Sequence, residues 1–241
     1  MAVVSRMGSA MGNATQAIVQ TLGTAIVTGQ YDGQPFPSEK ALCEQFAAAR
    51  TIVREAVKML AAKGLITSRP RQGIRIASED DWNLFDTDVL SWLLERRFSP
   101  ELLLDFMEMR LAVEPSAAAL AATHASDAQK AAIREAVERM YAASRGEEDD
   151  LRADVAFHVA VLEASGNRFF KQTRVMIATA LTISIRYTNR VKGVAHASAQ
   201  DHDTVARAIL RGEPVLARTA MHNLLEGAFD LVKSQITPAK P

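Results

Sequence analysis

One short segment with strand periodicity interrupts a chain that otherwise has the periodicity of helices. Residues 65–68 (Leu-Ile-Thr-Ser) and 74–77 (Ile-Arg-Ile-Ala) have the composition of short strands and flank the turn-forming sequence Arg-Pro-Arg-Gln-Gly, which predicts a β-hairpin. Three predicted helices precede it, at about 13–28, 38–46 and 50–63, with apolar residues at helical intervals. Three helices followed by a hairpin predict a winged helix-turn-helix.

The chain beyond residue 81 has only helical patterns. Seven further helices are predicted, over 86–97, 100–123, 127–145, 151–165, 168–192, 198–211 and 214–234. Proline at the first position of two helices, and glycine after the last position of two others, support these bounds. The fold class is therefore mainly α. We predict a winged helix-turn-helix domain at 1–77, a polar linker at 78–81 and an all-helical bundle at 82–241.

Composition indicates the cellular compartment in which such a chain functions. With 241 residues, 48% of them hydrophobic, the chain can bury a proper core. The only cysteine, Cys43, excludes a disulfide scaffold and a four-thiolate zinc site, and it suits a reducing cytoplasm. The longest apolar run, at 175–185, is too short to span a bilayer. We expect a cytoplasmic protein with no membrane partner.

The formal net charge of zero hides an uneven distribution of charge. Residues 1–77 carry nine Lys and Arg against four Asp and Glu, whereas the remainder carries nineteen against twenty-four. The first segment is thus +5 and the second −5. Such an asymmetry favours a polyanion-binding module joined to a domain with another task, although a solvated surface could also produce it.

The basic and hydroxyl residues of the predicted winged domain fall where DNA contacts are made. The candidates are Arg50, Thr51 and Arg54 early in the third helix, Lys40 at the start of the second, and Arg69 and Arg71 in the wing. A recognition helix presents its N-terminal residues to the major groove, where arginine can donate two hydrogen bonds to guanine. The remaining candidates can hold phosphates. The alternative is a set of ordinary surface charges paired with neighbours.

A second group of residues in the helical region has the chemistry of a metal site. Asp154 and His158 are four positions apart and share one helix face, while His202 and His222 come from two later helices. A carboxylate with imidazoles suits Zn²⁺, Mn²⁺ or Ni²⁺ and leaves positions open for water or a ligand. Unrelated interfacial histidines are the alternative reading.

Arg110 lies within a mostly apolar helical stretch, 107–113. A buried guanidinium without an anion is costly, so Arg110 needs a negatively charged partner. An internal ion pair with Glu114, four residues later, would supply one. A bound carboxylate effector would be the other.

The N-terminal residues resemble a known family. Pro37-Ser38-Glu39, the run Arg50-Thr51-Ile52-Val53-Arg54-Glu55-Ala56, Gly64-Leu65 and Gly73 resemble the winged helix-turn-helix of GntR-type transcription regulators over 17–77. The resemblance implies DNA contacts by Lys40, Arg50, Thr51, Arg54 and the wing glycine Gly73. Ala49 departs from the Ser or Thr usual in that family, which removes one expected phosphate contact.

The helical region is similar to the effector domain of the FadR subfamily over 86–233. The matching residues are Arg110 with Glu114-Pro115, Asp154 with His158, Ser165-Gly166-Asn167, His202 and His222. The resemblance implies that Asp154, His158, His202 and His222 bind one divalent metal and that a small carboxylate effector approaches it near Arg110. Residues 82–90 and 113–115 resemble repressors of galactonate operons in particular, which points to sugar acids.

These observations predict a homodimeric regulator, without enzymatic activity, that binds an inverted-repeat operator. We expect a repressor of a sugar-acid or small-carboxylate catabolic operon that an organic acid releases from DNA. Three alternatives stay open: an activator, a regulator that senses the metal itself, and a metal-dependent hydrolase. Against the hydrolase, the sequence contains no HExxH motif and no obvious general base.

Overall fold

The computed structural model of the chain describes residues 2–69, 73–95, 100–190 and 198–236. Helices dominate these residues, and the two strands pair as one hairpin. The mainly helical fold class is thus confirmed. Contacts divide the chain into two compact units, Met1–Arg97 and Phe98–Pro241. The described part of the chain contains no helix with the length and hydropathy of a membrane-spanning segment.

The first unit begins with the predicted winged helix-turn-helix. Its elements are α1 (Ala2–Val27), α2 (Glu39–Gln45), α3 (Arg50–Ala62), β1 (Ile66–Arg69) and β2 (Gly73–Ile76). The Ser38 hydroxyl caps α2 by accepting a hydrogen bond from the Ala41 N–H at 3.3 Å. The strands are antiparallel with Ile66 opposite Ile76, which is the predicted hairpin.

Residues beyond the hairpin also pack on this unit. A short 3₁₀ helix (Glu79–Asp81) leads to α4 (Thr87–Glu95). Trp82 and Trp92 are buried in the same core as Leu22 of α1. Trp92 lies against Gly23, where an added Cβ would clash with the indole ring. By packing, the segment after residue 82 therefore lies with the first unit, not at the beginning of the helical bundle.

Lys63, at the end of α3, explains why α4 stays with the winged domain. Its side chain is 11% exposed, and its ammonium donates hydrogen bonds of 2.8 Å to Asp86 and Asp88. The Asp86 carboxylate also accepts from the backbone N–H of Val89 in the first turn of α4. Two carboxylates around one largely buried cation thus join the end of α3 to the start of α4.

The second unit is a bundle of six helices within the described residues. They are α5 (Pro100–His124), α6 (Asp127–Ser144), α7 (Asp150–Ala164), α8 (Arg168–Arg190), α9 (Ala199–Leu210) and α10 (Pro214–Ile236). A capping box between Ser126 and Gln129 begins α6, and α5 continues through Pro115. α5 packs on α7 and α10, and α9 packs on α6 and α10. Apolar residues such as Phe157, Leu162 and Ile209 fill this core, but it also buries a charged cluster.

Candidate nucleic-acid interface and metal centre

The first two turns of α3 expose the side chains that the sequence predicts to contact DNA. Arg50, Thr51 and Arg54 face solvent, whereas the apolar residues of α3 are buried against the core. Lys40, in the first turn of α2, has a side chain that is 89% exposed. The helix therefore presents its N-terminal polar residues outward, as a recognition helix must in order to reach base edges.

The exposed basic side chains differ in their acidic neighbours. Arg50 Nε lies 3.6 Å from Glu39 Oε2, and Lys40 Nζ lies 4.0 Å from Glu44 Oε1. Arg54 has no ion-pair or hydrogen-bond partner within the described ranges. Exposed ion pairs contribute at most about 1 kcal/mol, so DNA can replace Glu39 and Glu44 at small cost. Arg54 meets no such competition.

The wing contributes one described position whose backbone explains its residue type. Gly73 begins β2 with φ +76, and an added Cβ would meet nothing within 4 Å. Glycine is therefore favoured by the left-handed backbone and not by lack of space. Arg69 ends β1, and Arg71 lies outside the described residues. The DNA-contacting roles of these residues stay predictions.

Three of the predicted metal ligands meet inside the second unit. Asp154 and His158 project from α7 and His202 from α9, and all three are buried. Asp154 Oδ1 lies 3.0 Å from His202 Nε2 and 3.6 Å from His158 Nε2, and the two Nε2 atoms are 3.4 Å apart. Ligands bound at about 2.0–2.2 Å to one ion lie roughly 3–3.5 Å from each other. The triangle thus has the dimensions of one face of a coordination shell.

A hydrogen bond on the far side of the His202 ring determines which ring nitrogen directs a lone pair into this triangle. His202 Nδ1 lies 3.0 Å from the Ser198 carbonyl oxygen, which can only accept, so Nδ1 carries the proton. A neutral His202 ring then directs the Nε2 lone pair at Asp154 Oδ1. That buried oxygen has no hydrogen-bond donor in the described part of the chain. A buried carboxylate oxygen that faces an imidazole lone pair fits a divalent cation.

Arg110 and Glu114 of α5 border the triangle. Both are buried, at 3% and 1% exposure, and Arg110 Nε lies 2.5 Å from Glu114 Oε1. The internal ion pair that the sequence offers as one alternative is therefore present. Arg110 Nη2 lies 3.1 and 3.2 Å from the two ring nitrogens of His158. Near-equal distances place it over the ring rather than along the lone pair of Nε2.

Charge in the cluster keeps its carboxyl groups ionised. Burial raises the pKa of Glu114, but the charges of Arg110 and His158 outweigh it and lower that pKa to about 2. Burial likewise raises the pKa of Asp154, but the neighbouring charge of His158 outweighs burial and lowers that pKa. For His158, burial lowers the pKa, while the neighbouring Glu114 and Asp154 carboxylates raise it above its ordinary value. The site thus prefers a cation, whether a proton or a metal.

The structure separates one predicted ligand from this group and adds one residue to its surroundings. His222 on α10 is 50% exposed, and its Nε2 lies 3.7 Å from Glu226 Oε2. Its role as a fourth ligand stays a prediction. Glu114 enters the site because its Oε2 lies 2.5 Å from His158 Nδ1. The sequence indicates Glu114 as a partner for Arg110 and as part of the family resemblance, but not as a neighbour of His158.

A helix with exposed basic residues in a winged unit, and a separate helical unit with a buried Asp-His-His cluster, are the arrangement of a DNA-binding regulator with a second domain. The family of bacterial regulatory proteins called gntR matches residues 14–76, and the FCD domain matches residues 105–227. The chain belongs to the GntR family of transcription regulators, among the members that carry an FCD domain. The predicted family is thereby confirmed.

Relatives and a solved structure agree with this assignment. The Galactonate operon transcriptional repressor of Escherichia coli (strain K12) is 40% identical over 168 residues, 69% of this chain and 73% of that protein. The Uncharacterized HTH-type transcriptional regulator YieP of the same strain is 35% identical over 67% and 71% of the two chains. The structure of Streptococcus agalactiae GntR is 25% identical, with a TM-score of 0.50, over 90% and 99%.

Proposed function

We propose that the protein represses an operon for the breakdown of a sugar acid or another small carboxylate, and that the acid releases it from DNA. The observation that carries the proposal is the buried triangle of Asp154, His158 and His202 with Arg110 beside it. A metal and a guanidinium in one dry site suit a ligand with a carboxylate and a hydroxyl group. Similarity to a galactonate operon repressor supports an aldonate as the first candidate.

The metal would be held by Asp154, His158 and His202, with Zn²⁺, Mn²⁺ and Ni²⁺ as the ions that suit one carboxylate and two imidazoles. When bound, it would offer open coordination positions to oxygen ligands. Arg110 Nη1 lies 3.8 Å from Met107 Sδ and contacts no oxygen of the described residues. Arg110 can therefore stay paired with Glu114 and still donate to a carboxylate.

The DNA-bound form is proposed to be a homodimer on an inverted repeat. Two α3 helices related by a two-fold axis would each read one half-site, which multiplies the specificity of a small domain. A regulator that binds operator DNA would act in the cytoplasm. The hydrolase that the sequence left open gains no support from the comparisons, because the relatives and domains they name are those of transcription regulators.

Saturating galactonate is expected to weaken operator binding by about 5- to 150-fold, equivalent to a coupling of about 1–3 kcal/mol. An effector shifts a conformational equilibrium only through its differential affinity, so the acid must bind the form that does not bind DNA more tightly. Fluorescence anisotropy with operator DNA, selected from random sequences by the full-length protein, measures the shift. Calorimetry should show the reciprocal loss of acid affinity on DNA.

Controls separate this mechanism from its rivals. A panel of aldonates and small hydroxy acids, each tested with and without zinc, distinguishes an acid effector from a regulator that senses the metal itself. Arg110→Met should lower acid affinity, because it removes the guanidinium donors. Binding of acids that leaves operator affinity unchanged would contradict release. Unchanged acid affinity in Arg110→Met would make the arginine purely structural.

Metal affinity is expected to rise with pH across the neutral range. The pKa of His158 lies above its ordinary value, so the ring holds a proton at a pH where a free histidine has lost it. A metal must displace that proton, which raises the apparent affinity by up to about tenfold per pH unit until the pKa is passed. Competition with a chromophoric chelator between about pH 6 and 8 measures it. A flat profile would show that no proton is displaced.

A further inference from the structure

We infer that Glu114 is the positioning residue of the metal centre: its carboxylate fixes the tautomer of His158 and so keeps Nε2 available to a metal. This inference rests on the proposed metal site and extends it to a residue outside the ligand triangle. Glu114 belongs to α5, whereas His158 belongs to α7, so the contact also sets one helix against the other. A carboxylate is needed at this position because the guanidinium of Arg110 uses one of its two oxygens, which leaves the other for His158.

The two oxygens of Glu114 are divided between two donors. Oε1 accepts from Arg110 Nε at 2.5 Å, and Oε2 lies 2.5 Å from His158 Nδ1. Arg110 Nη2 lies farther from Oε2, at 3.4 Å. Because an ionised carboxylate can only accept, the proton of a neutral His158 is placed on Nδ1 and the lone pair on Nε2. Nε2 is the atom that faces Asp154 and His202.

A neutral amide could not serve both donors. In E114Q, the amide oxygen must choose between Arg110 Nε and His158 Nδ1, and the charge-assisted bond to arginine is the stronger. The amide NH₂ group then faces His158 Nδ1 and donates to it. His158 consequently carries its proton on Nε2, which cannot bind a metal. Replacing one carboxylate oxygen of residue 114 by an amide nitrogen, with the side-chain shape kept, is therefore expected to reverse the tautomer of His158.

The full-length protein loaded with Zn²⁺ alone provides the test. We expect E114Q to lose about 10- to 100-fold in zinc affinity, as is usual when a carboxylate behind a metal-bound histidine is removed. The ¹⁵N chemical shifts of the His158 ring, recorded without metal above the pKa of that ring, should move from the Nδ1–H to the Nε2–H pattern. A purely structural role for Glu114 would leave that pattern unchanged.

Removing Arg110 at the same time should rescue the site. In R110M/E114Q the amide is free to turn its oxygen toward His158 Nδ1, so zinc affinity and the ring tautomer should return toward those of R110M alone. R110M/E114L removes the acceptor with nearly the same volume and no buried charge, and it should not be rescued. The comparison of R110M/E114Q with R110M/E114L tests the role of the residue-114 acceptor even if E114Q, with its unbalanced buried guanidinium, fails to fold.

Zinc affinity in E114Q equal to that of the unmodified protein, or equal affinities in R110M/E114Q and R110M/E114L, would overturn the role of Glu114. Failure of the underlying metal proposal is distinguishable. In that case the unmodified protein binds no zinc, while the ¹⁵N pattern of His158 still reports whether Glu114 sets the tautomer. Rescue by R110M, together with a reversed tautomer in E114Q, is the result expected.

Discussion

Replacing Arg54 by alanine is expected to weaken operator binding by about 1–3 kcal/mol per half-site, and by roughly twice that for a dimer on two half-sites. For the dimer, the lower end of this range is about 2 kcal/mol, which corresponds to about a 30-fold increase in Kd. The side chain is exposed on the second turn of α3 and has no acidic partner in the described ranges, so its donors are free for a guanine edge. Anisotropy titration with the selected operator measures the loss.

Four further variants test how Arg54 and its helix contact DNA. Arg54→Lys keeps the charge but loses the two-donor fork, so a bidentate base contact predicts a loss close to that of alanine, whereas a phosphate contact predicts near-normal binding. Glu39→Gln removes the carboxylate 3.6 Å from Arg50 and should strengthen binding slightly. Lys233→Ala, on α10, is the distant control. Normal affinity in both Arg50→Ala and Arg54→Ala would refute the assignment of α3.

One divalent ion per chain is expected to co-purify with the full-length protein and to be lost when His158 or His202 is replaced by alanine. Each substitution leaves at most two of the three buried ligands, and a remaining carboxylate with one imidazole binds too weakly to retain the ion through purification. Elemental analysis gives the occupancy. Thermal melts with and without chelator should show stabilisation of the unmodified protein only, because the ion binds the folded state.

Two histidine variants serve as matched comparisons for the metal experiment. His124→Ala removes an exposed imidazole at the end of α5 and should leave occupancy unchanged. His222→Ala reports on the predicted fourth ligand, whose ring is half exposed beside Glu226. Loss of metal in that variant would mean that the ring turns inward when the ion binds. Full occupancy in both His158→Ala and His202→Ala would reduce the triangle to a buried polar cluster.

Most helices could be predicted because their signals are local. The capping box of Ser126 and Gln129 begins α6 where the sequence places it, and the hairpin pairs Ile66 with Ile76 around the predicted turn. Such signals depend on residues within about four positions of each other. The shared helix face of Asp154 and His158 is local in the same sense, and both are buried together on α7.

The packing of residues 82–95 could not be read from their pattern. Their tryptophans and leucines predict a buried helix in either domain, and the sequence assigned that helix to the bundle. In the structure, the missing side chain of Gly23 makes room for Trp92, and Lys63 binds Asp86 and Asp88. The decision thus depends on shape and charge complementarity with α1 and α3, which helical periodicity does not encode.

By itself, the sequence determined the order and type of the secondary-structure elements, the basic face of α3 and the identity of the candidate ligands. Only the tertiary structure decided which of those ligands meet. His158 lies 44 residues from both Glu114 and His202, and their contacts exist because α5, α7 and α9 pack into one bundle. The same packing leaves His222 half exposed. Helix formation depends on neighbours along the chain, whereas convergence of side chains from separate helices depends on how their faces fit together.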